Sequence, residues 1–307
     1  MPRILTKDDV VGIFPPVCTP FKANDEIDFS ALRREVNMNL SLGVSGICLG
    51  GTTGEGYSLK PQELGHIIKT AQEEVAGKIP VMAGVITTNT RDAVERGLAA
   101  RDAGAQALMV TPPVYLVCSD EGVYDYYATV HKETGLPIVV YNVLVGATVG
   151  VELMTRLANN QKESGVIGTK ESIGGSLEGL TQLLDTIGDK ISVTWAHDWL
   201  LYAGLAIGAT GSISGAAALF PRHCLAMWNA IQSGNITRAQ ELNFVITDVC
   251  NQISKRNWVA GVKACMNLQG RDVGNCRAPY NRVPEEQVER IRQALKRADA
   301  VDFSIAA

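Results

Sequence analysis

The chain has 307 residues, of which 46% are hydrophobic and 20% charged, and carries a formal net charge of −4. That length holds either two average domains or one large α/β barrel, with apolar residues enough for a sizeable core. The acidic balance, with no basic patch or aromatic-interleaved basic run, argues against nucleic acid as a partner. Arg290, Arg292, Lys296 and Arg297 alternate with Val288, Ile291 and Leu295 at helical spacing, which reads as a solvated helix face. The first residues contain no apolar leader core, and no apolar run is long enough to span a bilayer. No membrane partner and a cytoplasmic location are therefore expected. The 7 cysteines form no CxxC pair, and their odd number points to reduced thiols in a cytosolic protein. The 4 histidines show neither HxH nor HExxH spacing, so no metal site is expected.

From residue 12 to about residue 215, short apolar runs rich in β-branched residues alternate with longer segments of helical periodicity. The runs begin with Gly12-Ile-Phe-Pro-Pro-Val, Gly46-Ile-Cys-Leu, Ile79-Pro-Val-Met-Ala-Gly-Val and Ala107-Leu-Met-Val. Pro137-Ile-Val-Val-Tyr, Gly165-Val-Ile-Gly-Thr-Lys, Ile191-Ser-Val-Thr-Trp and Thr210-Gly-Ser-Ile-Ser complete them. Helices are predicted over 30–42, 61–75, 90–103, 121–134, 151–158, 177–187 and 199–207. Asp28 or Ser30, Lys60-Pro61 and Asn89-Thr90 supply start signals for the first three. Gly43, Gly77, Gly104, Gly135 and Gly188 fall just past helix ends, where a positive φ is wanted.

Repeated βα units with continuously apolar strands call for a parallel sheet covered by helices. Eight units at about 28 residues each predict a closed (β/α)8, or TIM, barrel. An open doubly wound sheet would usually carry a glycine-rich dinucleotide loop after its first strand, and Cys18-Thr-Pro-Phe is not one. Beyond the eighth strand the pattern is wholly helical, over 220–233, 237–266 and 285–299. The expected division is a barrel over 1–220, followed over 221–307 by the last barrel helix and a helical extension packed on the barrel.

In such a barrel the chemistry collects at the C-terminal ends of the strands. Those ends carry Thr52-Thr53, Tyr115, Tyr141, Lys170 and His197-Asp198, with Ser212-Ile213-Ser214 in strand eight. Lys170 closes a buried strand, where burial disfavours an ammonium ion. A neutral amine there attacks the carbonyl of a 2-oxo acid and forms a Schiff base. The alternative is a salt bridge to Glu171 or to another strand-end carboxylate. Tyr141 ends the neighbouring strand, where a phenol either moves protons during imine formation or sits as an amphipathic rim residue. Gly50-Gly-Thr-Thr-Gly-Glu-Gly56 is either a cradle for a carboxylate-sized anion or an ordinary βα turn, and it lacks the P-loop lysine. His197 suits a hydroxyl contact or acid/base work at a barrel mouth, or is a surface residue.

Taken together, Gly12-Ile-Phe-Pro-Pro-Val-Cys-Thr-Pro-Phe, Gly50-Gly-Thr-Thr-Gly-Glu, Val110-Thr-Pro-Pro, Tyr141-Asn142, Gly168-Thr-Lys-Glu-Ser and Gly208-Ala-Thr-Gly-Ser-Ile-Ser span nearly the whole chain. They resemble the dihydrodipicolinate synthase / N-acetylneuraminate lyase family of (β/α)8 Schiff-base aldolases and lyases. The resemblance implies that Lys170 is the Schiff-base lysine and Tyr141 the catalytic tyrosine. It also implies that Thr52 and Thr53 form the carboxylate-binding turn, with Thr52 in the proton relay. The relay's second tyrosine, which in this family crosses from a neighbouring subunit, would be Tyr115, although strict spacing from Thr111 places Val114 there. Substrate contacts are expected at Thr53, Gly51, Ile213 and His197. No cofactor is expected beyond the covalent imine, and the implied assembly is a homodimer or homotetramer.

The sequence departs from the family where the second substrate would bind. Dihydrodipicolinate synthases proper carry an arginine a few residues after the catalytic tyrosine, whereas here none occurs between Asn142 and Arg156. The loop after strand five is apolar instead, and the sialic-acid lyases have serine where Thr52 stands. The expected function is a lyase acting on a 2-oxo acid, by aldol cleavage or condensation with pyruvate and an aldehyde, or by dehydration of a 3-deoxy-2-oxo acid. Synthesis of 4-hydroxy-tetrahydrodipicolinate is the alternative reaction, and a non-catalytic 2-oxo acid binder the alternative of another class.

Overall fold

A computed structural model describes residues 3–143, 146–172, 175–280 and 282–299. Leu144 and Val145, in the apolar loop singled out above, and residues 300–307 of the expected extension lie outside the described residues. The strands are β1 (Gly12–Ile13), β2 (Pro16–Val17), β3 (Ile47–Leu49), β4 (Val81–Val85), β5 (Ala107–Val110), β6 (Ile138–Asn142), β7 (Val166–Glu171), β8 (Ser192–Trp195) and β9 (Gly211–Ser212). All pairings among them are parallel, in the order β1-β9-β8-β7-β6-β5-β4-β3-β2. The two ends of that order, β1 and β2, are one stretch of chain split at Phe14-Pro15, so the sheet closes on itself into a (β/α)8 barrel. The split sits at a proline, which has no N–H to give a ladder.

The alternation of side chains sorts the strands into two layers. Ile47, Leu49, Val81, Ala83, Leu108, Val110, Ile138 and Val140 face outward into the large cluster shared with the helices. Cys48, Met82, Ala107, Met109, Val139 and Tyr141 face inward and fill the barrel with Phe14 and Ile213.

The helices are α1 (Phe29–Leu42), α2 (Pro61–Val75), α3 (Thr90–Asp102), α4 (Asp120–Thr134), α5 (Val151–Asn159), α6 (Gln161–Ser164), α7 (Leu177–Ile187), α8 (Leu201–Ile207), α9 (Gly215–Leu219), α10 (Pro221–Gln232), α11 (Ile236–Cys250), α12 (Trp258–Leu268) and α13 (Glu285–Asp299). Asp28 and Asn89 cap α1 and α3 by accepting from Ala31 and Asp92 N–H, and Pro61 opens α2. Gly43, Gly77, Gly104 and Gly135 have positive φ, but Gly188 does not, with φ −62°. Its glycine is required for space instead, since a Cβ would meet the Leu184 carbonyl oxygen at 2.5 Å. The single helix expected over 237–266 is two: α11 ends at Cys250, and α12 starts after a 3-10 turn at Lys255–Asn257. Ser254 caps that turn by accepting the N–H of Arg256. α10 packs on β1 and α1, α13 on α11 and α12, and α12 on α9. No helix among the described residues is long and apolar enough to cross a membrane.

Candidate active site

The site begins with the register of two strands. Ile138 pairs with Val166, but Val139 pairs with Gly168, so β7 carries one extra residue there, at Ile167. A bulge of this kind moves every later residue by one position and turns it to the other face. Tyr141 therefore stands beside Lys170 rather than Thr169, and both face the barrel interior. The Lys170 Nζ lies 4.1 Å from the centre of the Tyr141 ring. Both side chains are buried, Lys170 at 5% exposure and Tyr141 at 2%.

The next residue along each strand faces the opposite way. Asn142 pairs with Glu171, and its Nδ2 donates to the glutamate Oε1 at 2.7 Å, as does the Thr169 hydroxyl at 2.9 Å. Burial pushes the Glu171 carboxyl up to about 8, although both hydrogen bonds pull it down. Glu171 is thus turned away from Lys170 and neutral at moderate pH. The salt bridge weighed in the sequence does not form, and among the described residues Lys170 has no ion-pair partner.

The Gly50–Gly56 turn closes over the same point. Gly50 has φ +72°, and a Cβ on Gly56 would meet the Gly50 carbonyl oxygen at 1.7 Å, so the chain doubles back on itself tightly. The Tyr141 hydroxyl donates to the Thr52 Oγ1 at 2.9 Å and accepts from the Thr52 N–H at 3.3 Å. Thr53 is buried beside it. Behind the turn, Glu55 is fully buried in an ion pair with Lys263 of α12 at 2.6 Å. It also accepts the Arg277 N–H at 3.0 Å, and Thr19 donates to the Gly54 carbonyl at 2.7 Å. The turn is therefore anchored to the chain just after β2, to α12 and to the segment that follows it.

Lys170, Tyr141, Thr52 and Thr53 open into a cleft of about 340 Å³. Its other walls include Val143, Ser172, Asp198, Trp199, Lys255 and Trp258. Asp198 is buried and accepts the Ala216 N–H at 2.6 Å. Burial raises its carboxyl to about 6, against the pull of that hydrogen bond and of the Lys170 charge. A buried amine, a phenol, two threonine hydroxyls and a carboxyl of raised pKa converge here, a set suited to carbonyl chemistry with proton transfer.

The remaining sequence candidates are placed differently. Gly51 lies under the Tyr141 hydroxyl, and Ile213 is buried in the barrel interior. His197 is beside the cleft but not among its lining residues: its ring stacks on Trp195 at 6.2 Å and meets Trp199 edge-on at 5.9 Å. Burial, and then the Lys255 charge, lower its pKa. Val114 turns inward, donating its N–H to the Thr87 carbonyl at 3.0 Å and packing on the barrel interior. Tyr115, with φ +86°, points out and is 92% exposed. Sequence reasoning missed Trp199, Lys255 and Trp258. The available signal was the polar cluster Asn251, Ser254 and Asn257, which interrupts the helical run and turns this segment over the barrel mouth.

The profile of the dihydrodipicolinate synthetase family matches residues 9–298. The 4-hydroxy-tetrahydrodipicolinate synthase of Methanothrix thermoacetophila is 32% identical over 286 residues, covering 92% of this chain and 95% of that protein. The enzyme of the same name from Enterococcus faecalis is 32% identical over 288 residues, covering 92% and 97%. The crystal structure of dihydrodipicolinate synthase from Bacillus anthracis superposes with a TM-score of 0.88 at 26% identity, covering 95% of this chain and 98% of that one. The sialic acid aldolase of Ruminococcus gnavus shares the fold, with a TM-score of 0.86 at 21% identity, covering 95% and 98%. The chain belongs to the dihydrodipicolinate synthetase family and is an enzyme of the class I aldolase type, a lyase built on a (β/α)8 barrel.

Proposed function

We propose that Lys170 forms an imine with the carbonyl of a 2-oxo acid and uses it to make or break a bond further along the carbon chain. The observation that carries this reading is a buried lysine with no carboxylate partner among the described residues, set against a tyrosine already hydrogen-bonded to Thr52. The amine adds to the carbonyl carbon, and Tyr141 hands a proton to the resulting hydroxyl, which leaves as water. The phenol is restored through Thr52. Thr53 and the backbone N–H groups of the turn take the substrate carboxylate. The protonated imine then accepts an electron pair, either from the bond broken in releasing an aldehyde or during loss of water from a 3-deoxy-2-oxo acid. No external cofactor enters this scheme. The second tyrosine of the relay is Tyr115, carried on an outward loop whose Leu116 and Val117 are also exposed and which would meet a second subunit.

The curated relatives support one alternative partner, the aldehyde used in 4-hydroxy-tetrahydrodipicolinate synthesis. Against it, the first arginine after Tyr141 is Arg156, which pairs with Glu121 and lies over the Tyr124 ring at 4.2 Å, on the helical layer. Incubation with pyruvate and borohydride, followed by peptide mass spectrometry, tests the central step. A reduced adduct on Lys170 is expected, and an adduct on another lysine, or none, defeats the proposal. Pyruvate release from a panel of 4-hydroxy-2-oxo acids and 3-deoxy sugar acids, run beside condensation with aspartate semialdehyde, separates the reactions. Turnover fastest in the last assay selects the alternative.

A further inference from the structure

Part of the cleft wall comes from two segments far apart in sequence. The 3-10 turn at Asp198–Leu200 follows β8, and the turn at Lys255–Asn257 leads into α12. Trp199 and Trp258 meet there with ring centres 5.2 Å apart. Trp199 is fixed by its Nε1–H, which donates to Asn251 Oδ1 at 2.8 Å. Trp258 lies tightly against Gly215, where a Cβ would come within 2.9 Å of the indole. The Lys255 Nζ lies over the Trp199 ring, 4.8 Å from its centre. Unlike most cations of this chain with a defined contact, Lys255 has no carboxylate partner among the described residues. It is therefore a positive charge at a binding cleft, oriented by an aromatic face and left without a counter-ion.

We propose that Lys255, with Trp199 holding it, is a carboxylate subsite for the end of the substrate distal to the imine. This rests on the 2-oxo acid reading above. The substrate class would be a 2-oxo acid with a second carboxylate, or an aldehyde partner carrying one. The first carboxylate lies on the Thr52-Thr53 turn, and the second lies across the cleft on Lys255. The apolar loop after β6 then needs no cation of its own, because the charge is supplied from α12's side of the mouth. A single ammonium matches a singly charged carboxylate rather than a phosphate, which draws on more donors. The apolar faces of Trp199 and Trp258 suit the methylene or hydroxymethylene carbons between the two ends.

The test is condensation of pyruvate with two aldehydes of similar length, succinic semialdehyde and uncharged butanal, in wild type, Lys255→Met and Lys255→Arg. Borohydride trapping of pyruvate on Lys170 is run for every variant. Lys255→Met should raise the KM for succinic semialdehyde about tenfold, the usual scale for losing one charge-assisted contact, with kcat little changed and the butanal KM within about twofold. Lys255→Arg should recover most of the loss, and added salt should weaken the wild-type preference for the charged aldehyde. An equal effect on both aldehydes, or none on either, overturns the subsite while leaving the imine intact. Loss of trapping in the wild type would instead sink the underlying reading.

Discussion

Two lysines among the described residues are almost wholly buried, and their surroundings are opposite. Lys170 ends β7 at 5% exposure, and Lys263 sits in α12 at 1%. Each has its ammonium over an aromatic ring, 4.1 Å from Tyr141 and 4.3 Å from Phe21 respectively. Lys263 is then neutralised: Glu55 lies at 2.6 Å, and the Thr19 and Asn275 carbonyls accept at 2.7 and 3.1 Å. Lys170 has no such partner among the described residues and faces a cleft. Burial and a ring contact are common to both, so neither marks a reactive lysine. What distinguishes Lys170 is uncompensated burial beside a phenol that is hydrogen-bonded to Thr52. Lys263 is spent on structure, and its structural task is to hold Glu55, and with it the Thr52-Thr53 turn.

Substitution breaks the comparison most directly. Lys170→Met should cut turnover by at least about 10³-fold, since the nucleophile is gone. It should leave stability within about 1 kcal/mol of wild type or slightly raised, because an unpaired buried cation is removed. A large loss of stability would mean that Lys170 is as structural as Lys263. Lys263→Met should do the reverse. It strands Glu55 as a buried uncompensated charge, at a cost of about 3–5 kcal/mol in denaturant unfolding. Lys263→Met with Glu55→Gln should recover much of that loss, and a double mutant no better than the single would show the pair to be uncoupled.

Tyr141→Phe sharpens the catalytic half. It keeps the ring under Lys170 and removes the hydroxyl that donates to Thr52 at 2.9 Å. Turnover should fall about 10²-fold, and the rate of borohydride-trappable imine formation should fall with it. Unchanged trapping with slow turnover would move the phenol's role to a step after the imine.

The barrel and the Lys170–Tyr141 pair were legible in the sequence because both follow from short-range pattern. Eight apolar runs at regular spacing specify the staves, and a lysine and a tyrosine at strand ends specify a mouth. The glycine-rich turn was legible for the same reason. The bulge at Ile167 was not: Val166-Ile-Gly-Thr reads as an uninterrupted strand, and only pairing with β6 reveals the extra residue. The Glu55–Lys263 pair and the Trp199–Lys255–Trp258 wall were hidden because each joins residues far apart in the chain. His197 drew notice as the titratable residue after strand seven, yet the cleft is lined by its neighbours Asp198 and Trp199. The sequence carries no signal for which residues of that turn face the cleft.

The most gradual effect, spread over several pH units, concerns Glu171, the neighbour that does not neutralise Lys170. Burial pushes its carboxyl up to about 8, against the pull of the hydrogen bonds that Asn142 and Thr169 donate to it. The unfolded chain releases the same proton near the ordinary value of 4.5. Between those limits the folded state binds one more proton than the unfolded state, so this group's stabilising contribution is full below about pH 4.5 and declines as pH rises toward 8. The slope from one such proton is about 1.4 kcal/mol per pH unit at most. Glu171→Gln keeps the shape of the protonated side chain and removes the titration. Its stability should therefore fall less steeply than that of the wild type across pH 5–8, with the greatest relative gain at the alkaline end. Parallel pH profiles for the two proteins would mean that Glu171 is ionised in the fold, returning a negative charge to the residue next to Lys170 and weakening the contrast with Lys263.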